Sequence, residues 1–250
     1  DTFEIICRPF TRFGDLSPKA DNKGFDFSNF KCTEKIDGSL INMYHYDGQW
    51  HVGTKGTADA SGYIPELGMT YDEYFFTVFS HKFGYSLPQN EDCTYIFEFK
   101  FPSKSQFIVQ CEKPSITLIG IRNRVTGKEM DISQNKEGYN YVFASECRMT
   151  ILQSMIDSHC PAEMEGMVIV DANFNRLKVK ATAYELLSQL RQNNEVHNLN
   201  ILIRASKYIG NEMTKSMEAY LNRYELFPTY TKIIQAKNML KIALQKAYLE

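Results

Sequence analysis

The spacing of apolar residues changes character once along this chain, near Lys180, and that change limits the possible folds more than any other feature. Before it, short runs alternate apolar and polar residues with a period of two, bounded by turn residues. These runs predict strands at Phe3 to Arg8, Leu40 to Tyr46, Trp50 to Thr54, Thr94 to Phe101, Ser115 to Arg122, Met167 to Asp171 and Arg176 to Val179. The Asp47-Gly48 pair between two alternating runs is the strongest hairpin signal. Helices are expected at Tyr71 to Phe83 and roughly Ser145 to Asp157. After Lys180 apolar residues recur at helical spacing: Tyr184 with Leu186, Leu187 and Leu190, then Ile201 to Ile209, Met213 to Tyr224 and Ile233 to Leu249. The chain therefore reads as an α+β body followed by an all-helical tail of about 70 residues.

Composition enters where it excludes classes. With 250 residues, 43% hydrophobic and 13% aromatic, the chain can bury a substantial core, so disorder, collagen and coiled coil are excluded as whole-chain readings. The formal net charge of -2 argues against a surface coated for indiscriminate nucleic-acid binding. That total hides two unlike parts: 19 basic and 24 acidic residues up to Lys180, and 9 basic and 6 acidic after it. Six cysteines stand far apart with no CxxC pair, which speaks against zinc and for reduced thiols. No run of about 18 apolar residues could span a bilayer, and the opening DTFEIICRPF lacks a signal-peptide pattern. The expectation is a soluble, monomeric, cytoplasmic chain without a membrane partner. Its start at Asp1, with no Met and an immediate strand-like run, leads us to expect that an upstream segment is missing.

The most telling local run is Lys35-Ile36-Asp37-Gly38-Ser39, set just before the strand Leu40-Ile41-Asn42-Met43. At average residue usage K-x-D-G-S arises in roughly one chain of this length in a few hundred. Alone it reads equally as a turn with a solvated lysine. Its company changes that balance: HVGTKGT at 51–57, YIFEF at 95–99, TLIGIR at 117–122, EGMVIV at 165–170 and LKVK at 177–180. In this order and at these separations the runs resemble the motif series of the covalent nucleotidyltransferases, the superfamily of ATP-dependent RNA and DNA ligases and mRNA capping enzymes. The likeness covers residues 8 to 184. Arg8-Pro9-Phe10-Thr11-Arg12-Phe13-Gly14-Asp15 is similar to the R-P-x-x-K-F-F-N segment of the phage T4 RNA ligase 1 type, and Tyr184 falls where that type has a tyrosine. Thr33-Glu34-Lys35-Ile36 instead resembles T4 RNA ligase 2.

The resemblance implies a nucleotidyltransferase (adenylation) domain of antiparallel sheets with flanking helices over residues 1–182, then a small helical domain over 183–250. It implies ATP and Mg²⁺, with Mn²⁺ as a substitute, and an RNA substrate with 5′-phosphate and 3′-hydroxyl ends, such as a cleaved tRNA. Lys35 would be the nucleophile, since an amine among cations and a metal ion can have its pKa lowered for attack on an α-phosphate. Gly38 would let the backbone approach the nucleotide closely. Lys178 and Lys180, two apart on one strand, share a face and with Arg12 and Lys55 would offset phosphoryl charge. Glu165 and Asp37 are the metal candidates, working through water. By the resemblance Glu98 meets the ribose and touches metal waters, while Glu34 would accept from the adenine amino group. The strand Leu118 to Ile121 lacks the aromatic on which many relatives stack the base, so aliphatic side chains are expected to sandwich adenine.

Two departures stand out. The arginine that precedes the R-P segment in the T4 RNA ligase 1 type has no counterpart after Asp1, and the lysine two residues before Lys55 is replaced by Gly53. The five histidines show no partner pattern, Cys32 reads as packing, and the aromatics of Tyr71 to Phe79 read as helix core. Other classes in view are a DNA ligase core, a capping guanylyltransferase and a non-catalytic RNA-binding relative. The absence of a strand-rich segment after Lys180 speaks against an appended OB-fold.

Overall fold

The computed structural model describes residues 3–16, 22, 24–84, 86–103, 106–134, 136–143, 145–146, 149, 152, 154, 163–189, 195–206, 215–223 and 225–247. Compactness divides the chain into two units: residues 1–103, 111–147 and 168–178, and residues 104–110, 148–167 and 179–250.

In the first unit β1 (Phe30–Lys35) leads through a turn into β2 (Ser39–Tyr46) and β3 (Gln49–Thr54). The β2–β3 hairpin turns at Asp47 and Gly48, both with positive φ (50° and 73°), as a type I′ turn requires. A two-stranded ribbon, β4 (Tyr63–Ile64) with β5 (Met69–Thr70), precedes α1 (Tyr71–Phe83). Then follow β6 (Cys93–Lys100), β7 (Ser115–Asn123), β8 (Glu129–Met130), β9 (Ser145–Glu146), β10 (Gly166–Asp171) and β11 (Arg176–Lys180). One sheet has the order β3-β2-β6-β7-β8 and is antiparallel throughout, and the other has the order β11-β10-β1-β9.

Strand β6 divides its residues between two environments. Tyr95, Phe97 and Phe99 point to one face, where Phe97 and Phe99 meet Phe75 of α1 at ring-centroid distances of 5.8 and 5.5 Å. Phe79 adds contacts to Phe97 and Tyr139 at 6.1 and 5.4 Å. Such pairs contribute about 0.5–1.5 kcal/mol each beyond area burial. Of the aromatics expected to be helix core, Phe75 and Phe79 are buried, and Tyr71, Tyr74 and Phe76 are half-buried. α1 is started by Glu73, whose carboxylate accepts the Thr70 N–H at 2.8 Å, and stopped by Gly84 at φ 61°.

Two expectations need correction. Phe3 to Arg8 is not a strand. Phe3 is 92% exposed, and side chains rather than a ladder hold the segment, with Thr94 Oγ1 accepting the Arg8 N–H at 2.9 Å and Arg124 bonding Glu4 at 2.6 Å. Pro9, which has no N–H, would interrupt a ladder there. The short approach to Lys35 is itself a strand, β1, with Phe30 and Cys32 buried. The helix expected over 145–157 lies mostly outside the described residues, and its first two form β9.

In the second unit the tail is helical as expected, with α2 (Thr182–Ser188), α3 (Glu195–Ala205), α4 (Lys215–Arg223) and α5 (Phe227–Ala247). Leu187, Leu202, Met217, Tyr220 and Leu221 form its core, and the Tyr220 hydroxyl donates to the Leu187 carbonyl at 2.7 Å. Among the described residues no helix is long and apolar enough to cross a membrane.

One buried ion pair ties β8 to β11. Arg176 grips Glu129 with two bonds, at 2.9 and 2.6 Å, and both side chains are only 10% exposed. Removing one partner leaves an uncompensated buried charge. Arg176→Met is expected to lower unfolding free energy by about 3–5 kcal/mol, and pairing it with Glu129→Leu to recover much of the loss. Urea unfolding of the two variants checks this.

Candidate nucleotide-binding site

A cavity of about 1390 Å³ opens in the first unit, lined by β1, β2, β6, β7, β10, β11 and the segment before β1. That exceeds the usual 300–1,000 Å³ of a ligand pocket. Strand alternation assigns its walls. On β6 the residues between the core aromatics, Ile96 and Glu98, face away from α1, and Glu98 lines the cavity. Opposite them β7 carries a bulge: Ile96 pairs with Gly120 and Phe97 with Leu118, so Ile119 is the extra residue. A bulge re-aims side chains, and Ile119 and Gly120 both reach the cavity.

The 8–16 segment runs along the cavity. At one end Arg122 donates to the Pro9 carbonyl at 2.6 Å, and at the other Lys178 N–H bonds Gly14 and Leu16 N–H bonds Lys178, at 2.9 and 2.7 Å. Between these anchors the Phe10 ring stands on Gly120, where a Cβ would fall 2.3 Å from it. The Arg176 guanidinium lies 4.1 Å from the Phe10 ring centroid, and the Lys178 ammonium 4.9 Å from that of Phe13. The aromatic missing from β7 is thus present in the cavity from a different segment. Ile119, Val168 and Val170 supply the expected aliphatic wall beside it.

Of the residues expected at the site, Arg12, Glu34, Lys35, Gly38, Lys55, Glu98 and Lys178 line this one cavity. Lys35 ends β1 and is half-buried, while Arg12 and Lys55 are exposed. Asp37 sits in the turn after Lys35, half-buried, and is not among the lining residues. Glu165 and Lys180 belong to segments of the second unit. Glu165 is buried, its carbonyl accepting the Ala181 N–H at 3.0 Å, and Lys180 is half-buried at the end of β11.

Gly38 does permit a close approach, to protein rather than to open space: a Cβ there would lie 2.9 Å from Glu98 Cγ and 2.9 Å from the Phe99 carbonyl oxygen. The turn carrying Lys35 is thereby pressed against β6. Beyond β10 the chain reverses on Asp171, whose carboxylate accepts the N–H groups of Asn173 and Asn175 at 2.9 Å and of Asp26 at 3.1 Å. Burial alone would push this carboxyl up, but its hydrogen bonds, chiefly with Asn175, hold it below the usual carboxylate range.

Sequence reasoning did not single out Phe10, Asn42 or Arg176 as cavity residues. Phe10 was within reach, since it lies inside the R-P segment. Among the described residues no group of three or more His, Cys, Asp or Glu side chains is gathered to hold a metal ion. Glu98 is the expected metal-side carboxylate that lines the cavity.

Two sheets, a lysine ending one strand and a cavity lined by several cations make the architecture expected of the nucleotidyltransferase (adenylation) domain. The fold matches that of an archaeal ATP-dependent RNA ligase (TM-score 0.55, 16% identity, covering 92% of this chain and 66% of that one). It also matches an Aquifex aeolicus protein named as an ATP-dependent DNA ligase (TM-score 0.53, 12% identity, 89% and 65%). In sequence, the chain is 27% identical over 207 residues to a protein of Autographa californica nuclear polyhedrosis virus named as a bifunctional polynucleotide kinase/RNA ligase, covering 73% of this chain and 28% of the relative. It is 38% identical over 112 residues to the RNA ligase of Rhodothermus phage RM378, covering 40% and 25%. The chain spans about a quarter of the length of these curated relatives. No family model matches it.

The Gly53 departure has a steric cause. Gly53 pairs with Asn42, and a Cβ on it would stand 2.6 Å from the Ala58 carbonyl oxygen, because the 54–57 turn folds back over it. Gly53→Lys, which restores the lysine of the resembled type, is therefore expected to destabilise the fold by about 1–3 kcal/mol, as overpacking does. Thermal melting of that variant measures it.

Proposed function

We propose that this chain is an ATP-dependent RNA ligase that joins 5′-phosphate and 3′-hydroxyl RNA ends. The observation that carries the reading is the convergence of Lys35 with Arg12, Lys55, Lys178 and Glu98 on one cavity. In the first step Lys35 Nζ gives up a proton and attacks the α-phosphorus of ATP, so that a P–N bond forms and the bond to pyrophosphate breaks. AMP then passes to the RNA 5′-phosphate, and attack by the 3′-hydroxyl releases it.

This chain's contribution is positioning and charge. Arg12, Lys55 and Lys178 offset charge growing on the phosphoryl oxygens in the cavity. Lys180 would add to that set, and Glu98, Asp37 and Glu165 are the carboxylates that would hold Mg²⁺. When bound, Mg²⁺ would supply electrophilic assistance at the phosphates, and Mn²⁺ could replace it. Glu34 takes the adenine amino group, which selects ATP over GTP. The relatives named RNA ligase support an RNA substrate, and repair of a cleaved tRNA is the role we assign. We place the protein in the cytoplasm, or the host cytoplasm for a viral source, as a monomer.

Incubation with labelled ATP and Mg²⁺ is expected to label the wild-type chain covalently, and GTP or NAD is not. Lys35→Ala removes the label entirely. Lys178→Ala, Lys180→Ala and Glu165→Ala each slow labelling by about 10²–10³, the usual loss when one preorganised group is removed. A label that survives Lys35→Ala overturns the nucleophile assignment. Sealing assays on nicked duplex RNA, single-stranded RNA and a cleaved anticodon loop then rank substrates.

A further inference from the structure

Asn42 lies on the cavity wall, only 4% exposed, and its side-chain oxygen has no hydrogen-bond partner. Buried polar groups are almost always paired, and an orphan at a cavity wall marks a place where a ligand completes the pairing. The registers of the sheet fix its surroundings. Gly120, Ile96, Asn42 and Gly53 form one row across β7, β6, β2 and β3. Phe10 covers the glycine at one end, and the 57–58 backbone covers the glycine at the other. On the next row, Glu98 pairs with Leu40. Asn42 and Glu98 are therefore diagonal neighbours on one face, a separation of about 7 Å.

The chemistry of the orphan selects its partner. A phosphate oxygen only accepts, so it cannot satisfy the amide oxygen. An adenine amino group donates, but in the nucleotide reading above it is taken by Glu34. A hydroxyl both donates and accepts, so it serves either end of the amide. Two hydroxyls on adjacent carbons fit between a carboxylate and an amide at this spacing.

We propose that Asn42 reads a ribose hydroxyl of the bound nucleotide, with Glu98 taking the neighbouring hydroxyl. The inference rests on the nucleotide reading of the cavity and adds the residue that distinguishes ribose from deoxyribose. Asn42 touches the sugar and takes no part in bond making.

The test is a cycle of one substitution against two nucleotide changes. Binding of ATP, 2′-deoxy-ATP and 3′-deoxy-ATP is measured by calorimetry for the wild-type chain and for Asn42→Leu, which keeps size and shape. The wild type is expected to bind one of the deoxy analogues roughly tenfold more weakly than ATP. Asn42→Leu is expected to lose roughly tenfold for ATP and nothing further for that same analogue, since contacting groups are not additive. Comparing nucleotides within one variant removes any change in the folded fraction. Equal losses for ATP and both analogues, or unchanged ATP binding, overturn the inference and leave the ligase reading intact. A wild-type chain that neither binds ATP nor takes the covalent label overturns both.

Discussion

The alternation along Cys93–Lys100 is the constraint on which the rest of the first unit depends. One face of that strand carries Tyr95, Phe97 and Phe99 into a cluster with Phe75, Phe79 and Tyr139, and the other carries Ile96 and Glu98. Slipping the strand by one residue would exchange the two sets, burying a carboxylate among aromatic rings. The packing of α1 therefore does more than add stability. It fixes which side of β6 is available for chemistry, and through Gly38, pressed against Glu98 and Phe99, it fixes where the turn after Lys35 rests.

The second organising device is the segment from Arg8 to Leu16. It has no ladder of its own, yet it joins elements of both large sheets: Thr94 of β6, Gly120 and Arg122 of β7, and Lys178 of β11. Phe10 can stand where it does because position 120 has no side chain, and its ring shields the Arg176–Glu129 pair from one side. A charged pair buried in this way adds little net stability over an apolar one, but it penalises any arrangement that separates β8 from β11.

How much of this was legible in the sequence depended on whether the signal was local. The hairpin at Asp47-Gly48 was legible because two positive-φ residues in succession leave few alternatives. The K-x-D-G-S run, with the later runs in order, pointed to a cavity that does gather Lys35, Lys55, Glu98 and Lys178. Phe3 to Arg8 misled because it has strand composition, while its strand-breaking feature, Pro9, follows it and no partner strand accepts it. β1 was obscured because its approach to Lys35 alternates only weakly. The role of Asn42 was invisible: on a strand, a lone Asn reads as solvated or as paired in the core. Only the registers across four strands reveal that it is buried beside Glu98 with its oxygen unpaired.

The glycines at positions 53 and 120 show why a motif comparison alone would misjudge this site. Read by motif, Gly53 is a lost lysine and β7 is a strand without its stacking aromatic, so the cavity looks depleted twice. Both glycines instead lie on one row of the sheet, and each is covered by chain from elsewhere, the 57–58 backbone over one and Phe10 over the other. Side chains removed from the floor are matched by main chain and a ring laid on top of it. A lysine at 53 would have no volume to enter, and an aromatic on β7 at 120 would collide with Phe10. The two departures are therefore one structural solution, in which the walls of the cavity come from the segment before β1 and the turn after β3, and the sheet beneath contributes two polar lining residues, Glu98 and the buried Asn42.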